Sequence, residues 1–465
     1  MATLVGAGAR NIAIMTPGSF DPAFLLAFPG QTAIQSAFGT AQFNALEANL
    51  APFARAGTRI FLLNSAIIDD RVRASPARFG FTNATQGCLT VPACANGSMA
   101  TQNTFYSWDG LHHTTAGYAL LTNYLTNQVD APSTITPQGA IVLGTANSFA
   151  QSTFGRLDAF RNFSSYGMGG AYAAYAADMP TKARPMKPVE PNRWSVYGEA
   201  TFAGGTREAS LFNPNSSFSA VGGDIGLEYL VRPDWKLGGV FNYARPETSL
   251  GLQNAHFKAD AFQWTGYSSY TAKNWFADAL IAYGRQNINT DRKGVIDIIN
   301  GSTHADLFTM AGRAGYLFDV GAMRVGPIGG LYYATGSIAG YTETGDFLLT
   351  QIVGKQNLDS LTGSAGVQFR LPFAMATALY NPYVNVTAEH DFLGDGRIIT
   401  TTQTSTLLLP VMTPTNSTNP TYGKVAAGIS GVISGNVSGM INAFSTFARA
   451  DGNYYGVSGG IKVAF

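Results

Sequence analysis

Charge is what this sequence has least of. Its 465 residues include 29 Lys and Arg and 28 Asp and Glu, or 12% of the chain. A soluble domain carries about 25%. The net charge of +1 leaves no basic stripe for nucleic acid, so no nucleic-acid partner is expected. No run of about 18 apolar residues occurs, so no transmembrane helix is written here. Cysteine is nearly absent, with only Cys88 and Cys94. Their close spacing permits either a local disulfide in an oxidising compartment or two free thiols. No second Cys or His pair has ligand spacing, which argues against zinc, and no metal or cofactor is expected. Glycine and aromatics are plentiful instead, with 53 Gly, 30 Phe, 21 Tyr and 5 Trp, a content that argues against disorder. Few charges, many Gly and aromatics and no helical span point to a membrane β-barrel, where polarity is spread by alternation.

The chain divides into three parts. Residues 1–130 mix helical and strand patterns. Asn11–Met15 reads as a buried strand, Ala41–Ala56 as a helix with Phe43, Leu46, Leu50 and Phe53 at helical intervals. Arg59–Ile68 reads as a second strand and Thr115–Val129 as a helix, an order expected of a partial α/β domain with a parallel sheet. Residues 131–190 are expected to be a linker, helical over 145–163 and Pro-rich over Pro180–Pro191.

Residues 191–465 change to a period of two. Tyr455, Val457, Gly459, Ile461, Val463 and Phe465 share one face of the last strand. Trp194, Val196, Ala200 and Phe202 alternate with Ser195, Glu199 and Thr201. Val221, Ile225, Leu227 and Tyr229 alternate with Asp224 and Glu228, and Trp275, Ala277, Ala279, Ile281 and Tyr283 with Asp278. Such alternation suits a membrane barrel and also a soluble sandwich. The connections discriminate. Twelve antiparallel strands are expected near 192–203, 218–230, 235–247, 257–270, 274–287, 304–318, 322–341, 361–371, 380–393, 421–433, 438–449 and 454–465. Connections after even strands read as short, as at Arg232-Pro233-Asp234 and Asp319–Gly321. Those after odd strands read as longer, reaching about 27 residues near 394–420. Short turns on one side and long loops on the other fit a barrel of the outer membrane. Asp224, Glu228, Glu199 and Asp278 are expected to face the lumen.

One constellation in the first part carries chemistry: Trp108-Asp109-Gly110-Leu111-His112-His113-Thr114-Thr115. A general-base His needs a partner that fixes its tautomer and steadies the imidazolium. Asp109 can reach the His112 ring from a loop three residues earlier. The blander reading makes these a helix cap and a surface residue, with Thr114 or Thr115 as the N-cap.

This segment resembles the last block of SGNH/GDSL-type esterases and lipases, W-D-x-x-H-P-T, with His113 where that family has Pro. Gly8-Ala9-Arg10-Asn11 resembles the family's strand after its third block, Phe43-Asn44-Ala45-Leu46 its next helix, and Ser75–Asn83 with Cys88 the loop before the final block. Residues 191–465 resemble an autotransporter translocator of type V secretion. The resemblance implies a surface-anchored carboxylic-ester hydrolase in a bacterial outer membrane, with Asp109 and His112 as catalytic residues. It also implies a helix threading the lumen and reading of the terminal Phe465 by the barrel-assembly machinery. The family's nucleophilic Ser block and oxyanion blocks have no match. Gly18-Ser19-Phe20-Asp21 is superficially similar to the Ser block, but lies too near His112, and Gly18 fits the turn after the family's fourth strand. A Ser-less triad forms no acyl-enzyme. No signal peptide follows Met1, so the expectation is an N-terminally truncated chain, inactive alone. The alternative is a porin or adhesin scaffold with a vestigial first part.

Weaker candidates have ordinary explanations. Gly6-x-Gly8 lacks the rest of a nucleotide fingerprint. His256, His304 and His390 read as lumen or rim polar residues. Lys182, Arg184, Lys187 and Arg193 read as a solvated linker or as contacts to lipid headgroups.

Overall fold

The computed structural model describes residues 1–19, 31–161, 192–210, 213–375, 378–394, 396–415, 421–449 and 452–465. Lys182, Arg184, Lys187, Pro180–Pro191 and Phe20-Asp21 lie outside them.

The first part has a two-stranded parallel sheet, β1 (Asn11–Met15) with β2 (Arg59–Leu63). Its longer helices include α1 (Gln31–Arg55), α2 (Ser65–Ala74) and α3 (Thr115–Asp130). The sequence places Ile67 and Ile68 in the second strand, but that strand stops at Leu63. Asn64 turns the chain, its side chain accepting the Ile67 N–H at 3.4 Å as an N-cap. Ile68 and Val72 then share the buried face of α2, so an apolar run read as one strand is a strand and a helix. Helix α3 begins where expected, with Thr114 Oγ1 accepting the Gly117 N–H at 3.2 Å.

Twelve long strands follow: β3 (Trp194–Arg207), β4 (Ser216–Arg232), β5 (Trp235–Leu250), β6 (His256–Thr271), β7 (Trp275–Lys293), β8 (Ile298–Tyr316), β9 (Met323–Ile338), β10 (Gln356–Arg370), β11 (Tyr383–Asp391), β12 (Thr421–Ser434), β13 (Val437–Phe447) and β14 (Tyr454–Ala464). Each pairs antiparallel with its sequence neighbours, and β14 pairs with β3, Val463 opposite Val196, which closes the barrel. Closure removes the edge strands that an open sheet would leave unpaired. Along β3, Trp194, Val196 and Phe202 are exposed while Ser195, Tyr197 and Glu199 are buried. On the same outer face Val221, Ile225, Ile281, Leu331 and Ile461 are exposed, the apolar surface a lipid-facing wall requires.

The connections are less regular than expected. β7 and β8 run on to Lys293 and Ile298, so their link is short although it joins an odd strand to an even one. The two long outer connections lie between Ile338 and Gln356 and between Asp391 and Thr421. They fold together into a separate four-stranded sheet of Tyr341–Thr342, Gln351–Val353, Ile398–Gln403 and Pro410–Pro414. On the opposite rim, the link from Arg370 to Tyr383 carries a hairpin of Phe373–Met375 and Ala378–Tyr380.

The lumen is threaded by α4 (Gln138–Ala159), which starts and ends earlier than the expected 145–163. Barrel side chains hold it. Ser152 Oγ donates to Asp224 at 2.6 Å, and Gln286 Nε2 donates to the Val142 carbonyl at 2.9 Å. Asp158 at its end accepts from Arg313 at 2.7 Å, Arg370 at 3.1 Å and Asn385 at 2.9 Å. Arg161 just beyond pairs with Asp278 at 2.5 Å. Such buried charges persist only when paired and hydrogen-bonded. Glu199, Asp224, Glu228 and Asp278 thus face inward as expected, and Glu228 meets Lys462 and Lys236.

Candidate active site

The Asp109–His112 turn is built by short-range contacts. Gly110 takes φ +94°, a conformation that favours glycine, and lets the chain double back. Asp109 Oδ1 accepts the Leu111 N–H at 2.9 Å and the His112 N–H at 2.7 Å. Its Oδ2 lies 2.7 Å from His112 Nδ1. Burial acts to raise the Asp109 pKa, but those two N–H groups and the His112 ring outweigh it and bring it down to about 2. An ionised carboxylate only accepts, so Nδ1 carries the proton and Nε2 is the ring nitrogen that Asp109 does not engage. The His112 side chain is 68% exposed, which leaves that edge open to an incoming group.

The base of the turn is clamped. Trp108 N–H donates to the His112 carbonyl at 2.7 Å, and Gly110 N–H to Ser107 Oγ at 2.9 Å. From the neighbouring loop, Cys88 N–H donates to Ser107 O at 3.0 Å and Leu89 N–H to Trp108 O at 2.7 Å. Cys88 and Cys94 form a disulfide with Cα atoms 5.2 Å apart, which resolves the alternative left open by their spacing. Gly87 packs so closely that a Cβ there would sit 2.8 Å from the Asp109 carbonyl carbon.

Beneath the turn is a polar cluster that sequence reasoning missed. Asp69 on α2 is fully buried. It accepts a short hydrogen bond from Tyr106 Oη and the Ser19 N–H at 2.7 Å. His113 Nε2 stands 3.6 Å from its Oδ1. Burial raises the Asp69 pKa to about 6 against the pull of these donors and Arg73, and lowers that of His113 to about 4. His113 packs at a tilt against Tyr106, with ring centroids 4.5 Å apart. The signal was present as Asp69-Asp70 ending an apolar run, a carboxylate where the hydrophobic pattern demands burial.

Ser19 belongs to this cluster. Its hydroxyl meets Asp70 at 3.2 Å and Arg73, and Arg73 Nη2 donates to its carbonyl at 2.6 Å. A Cβ at Gly18 would overlap Asp69 Oδ2, so the Gly18-Ser19 turn after β1 is shaped around that carboxylate. Among the described residues no serine hydroxyl bonds His112. Ser249 does face His256, at 3.1 Å, and His390 faces Thr421 at 2.8 Å, both at strand ends on the barrel rim. No group of three or more His, Cys, Asp or Glu among the described residues could hold a metal.

Residues 195–443 match the family model described as the autotransporter beta-domain. Esterase EstA of Pseudomonas aeruginosa is 22% identical over 376 residues, covering 75% of this chain and 53% of that protein. Esterase EstA of Pseudomonas putida matches to the same extent. The chain therefore spans about half the length of the curated relatives it matches. The translocator domain of autotransporter NalP from Neisseria meningitidis is 17% identical, with a TM-score of 0.49, over 67% of this chain and 99% of that one.

Proposed function

This chain belongs to the autotransporter β-domain family, and we propose that its first part is the ester-hydrolysing portion of a surface-anchored enzyme of SGNH/GDSL type. The barrel lies in the bacterial outer membrane and displays that portion at the cell surface. We take residues 1–130 as the hydrolase portion, 131–190 as the linker and 191–465 as the barrel. In this reading His112 is the general base and Asp109 its orienting carboxylate. One observation carries it, the 2.7 Å Asp109–His112 pair on a largely exposed His112 side chain. The likeness of 75% of the chain to two esterases supports it.

His112 would take the proton from a serine hydroxyl as it attacks an ester carbonyl, then return it to the leaving alkoxide. Asp109 would hold Nδ1 protonated and offset the imidazolium charge that forms between the two transfers. The chain supplies base and orienter, and turns over esters only when a serine is placed against Nε2. Ile461, Val463 and Phe465, on the outer face of the seam, are the residues we assign to recognition by the barrel-assembly machinery. The scaffold alternative gains less from the structure, because α4 occupies the lumen a porin would keep open.

The test uses outer membranes expressing the protein from its own locus. Labelling by a serine-reactive fluorophosphonate is expected, with p-nitrophenyl butyrate hydrolysis lowered by about 10³–10⁴ in His112→Ala and Asp109→Asn. No labelling and no hydrolysis in those membranes would sink the proposal.

A further inference from the structure

Among the described residues, side chains from the barrel enter the core of the α/β part. Leu348 and Leu349 from the long connection after β9, and Ile299 from β8, are buried in one cluster with Leu63, Ile68, Val72, Tyr106 and Tyr124. On the other side, Leu409 from the connection after β11 is buried among Phe43, Leu50, Ala54, Ile60 and Leu62.

Polar contacts fix the register of the docking. Asp346 Oδ1 pairs with Arg71 Nη1 at 2.6 Å, and Tyr124 Oη donates to its Oδ2 at 2.8 Å. The Asp346 side chain is only 4% exposed. Gln128 Nε2 donates to the Leu348 carbonyl at 2.7 Å inside the same buried layer. Arg292 ties the two sides together, holding Glu343 at 2.6 Å and donating to Asn127 Oδ1 at 3.0 Å. A buried carboxylate with two directed partners is costly to leave unpaired, so the contact selects one arrangement rather than a loose apolar collision.

We propose that the outer loops of the barrel serve as the folding template of the α/β part, with Asp346, Leu348 and Leu349 as obligatory elements of its core. The barrel then does more than anchor and export. It presents a preformed surface on which the emerging segment completes its fold and stays seated. Tyr106 belongs to the same cluster and stands three residues before Asp109. The template role stands whether or not the turn catalyses anything.

The experiment is limited proteolysis of the full chain in detergent micelles, with heat-modifiable migration reporting an intact barrel. In Asp346→Ala and in Leu348→Ala/Leu349→Ala, the half-life of the α/β part should fall more than tenfold while the barrel stays heat-modifiable. Where a loop variant fails to assemble, Arg71→Ala breaks the same contact from the other side without altering the barrel, and the same drop is expected. The Asp346→Ala/Arg71→Ala double variant should be no worse than Asp346→Ala alone. A half-life within twofold of the parent, or losses that multiply in the double variant, would overturn the proposal.

Discussion

His113 Nε2 lies 3.6 Å from the Oδ1 of Asp69, and burial moves the two groups in opposite directions. Asp69 rises from 3.8 to about 6. Its protonated form is favoured in the fold, so its contribution to stability is complete below pH 3.8 and lost as pH rises through 6. His113 falls from 6.5 to about 4. Its neutral form is favoured, so its contribution is complete above pH 6.5 and lost as pH falls through 4. Each is worth about 3 kcal/mol at about 1.4 kcal/mol per pKa unit, and they nearly cancel between pH 4 and 6.5. His113→Phe should therefore expose the Asp69 slope, with stability falling as pH rises through this window. Asp69→Asn should expose the opposite slope. Hydrogen exchange of α3 amides across the window reads both, and parallel slopes in the two variants would refute the pairing.

The Cys88–Cys94 bridge should matter for the turn next to it. Closing so short a loop contributes about 2 kcal/mol through the unfolded chain. Cys88→Ser/Cys94→Ser is expected to lower the stability of the α/β part by about that amount. It should also speed exchange of the Cys88 and Leu89 amides, which bond to Ser107 and Trp108. Unchanged exchange at Leu89 would mean that the clamp does not depend on the bridge.

Gly87→Ala is a smaller change with a sharper readout. Its Cβ would meet Asp109 backbone atoms at 2.8 and 2.9 Å, closer than rigid backbone tolerates, so the turn must shift. Overpacking of this kind costs about 1–3 kcal/mol. The downfield proton of the Asp109–His112 hydrogen bond should weaken or vanish in the NMR spectrum, and Gly39→Ala, within α1 and with no atom within 4 Å of its Cβ, should leave it in place.

In the lumen, Asp158→Ala leaves Arg313 without one carboxylate and Arg370 without its ion pair, both next to the helix end. Removing one partner of a buried pair costs about 3–5 kcal/mol. The temperature of the heat-modifiable shift should drop by several degrees. Asp158→Asn, which keeps an acceptor but no charge, should fall between the variant and the parent. An Asp158→Ala barrel as heat-resistant as the parent would show that α4 is held by its apolar contacts alone.

Much of this architecture was readable along the chain. Lipid on one side and a polar lumen on the other impose a period of two, and strands such as Trp194–Arg207 and Tyr454–Ala464 state it residue by residue. The Asp109–His112 pair was equally legible, because three residues and one glycine turn suffice to bring a carboxylate to an imidazole. What escaped was set by contacts distant in sequence. Asp69 could be seen as a carboxylate at the end of an apolar run, but not that Ser19, Tyr106 and His113 would gather around it.

The same division separates the two halves of the molecule. Alternation, turn residues and the D-x-x-H spacing are local, and each acts through neighbours a few positions away, so the amino-acid order alone specified the barrel and the dyad. The seating of the α/β part is not local. Asp346 meets Arg71 and Tyr124 across more than 200 positions, and nothing in a loop sequence announces that its leucines will finish another domain's core. Burial is a property of the folded whole, which is why that relationship emerged only when the chain was closed into three dimensions.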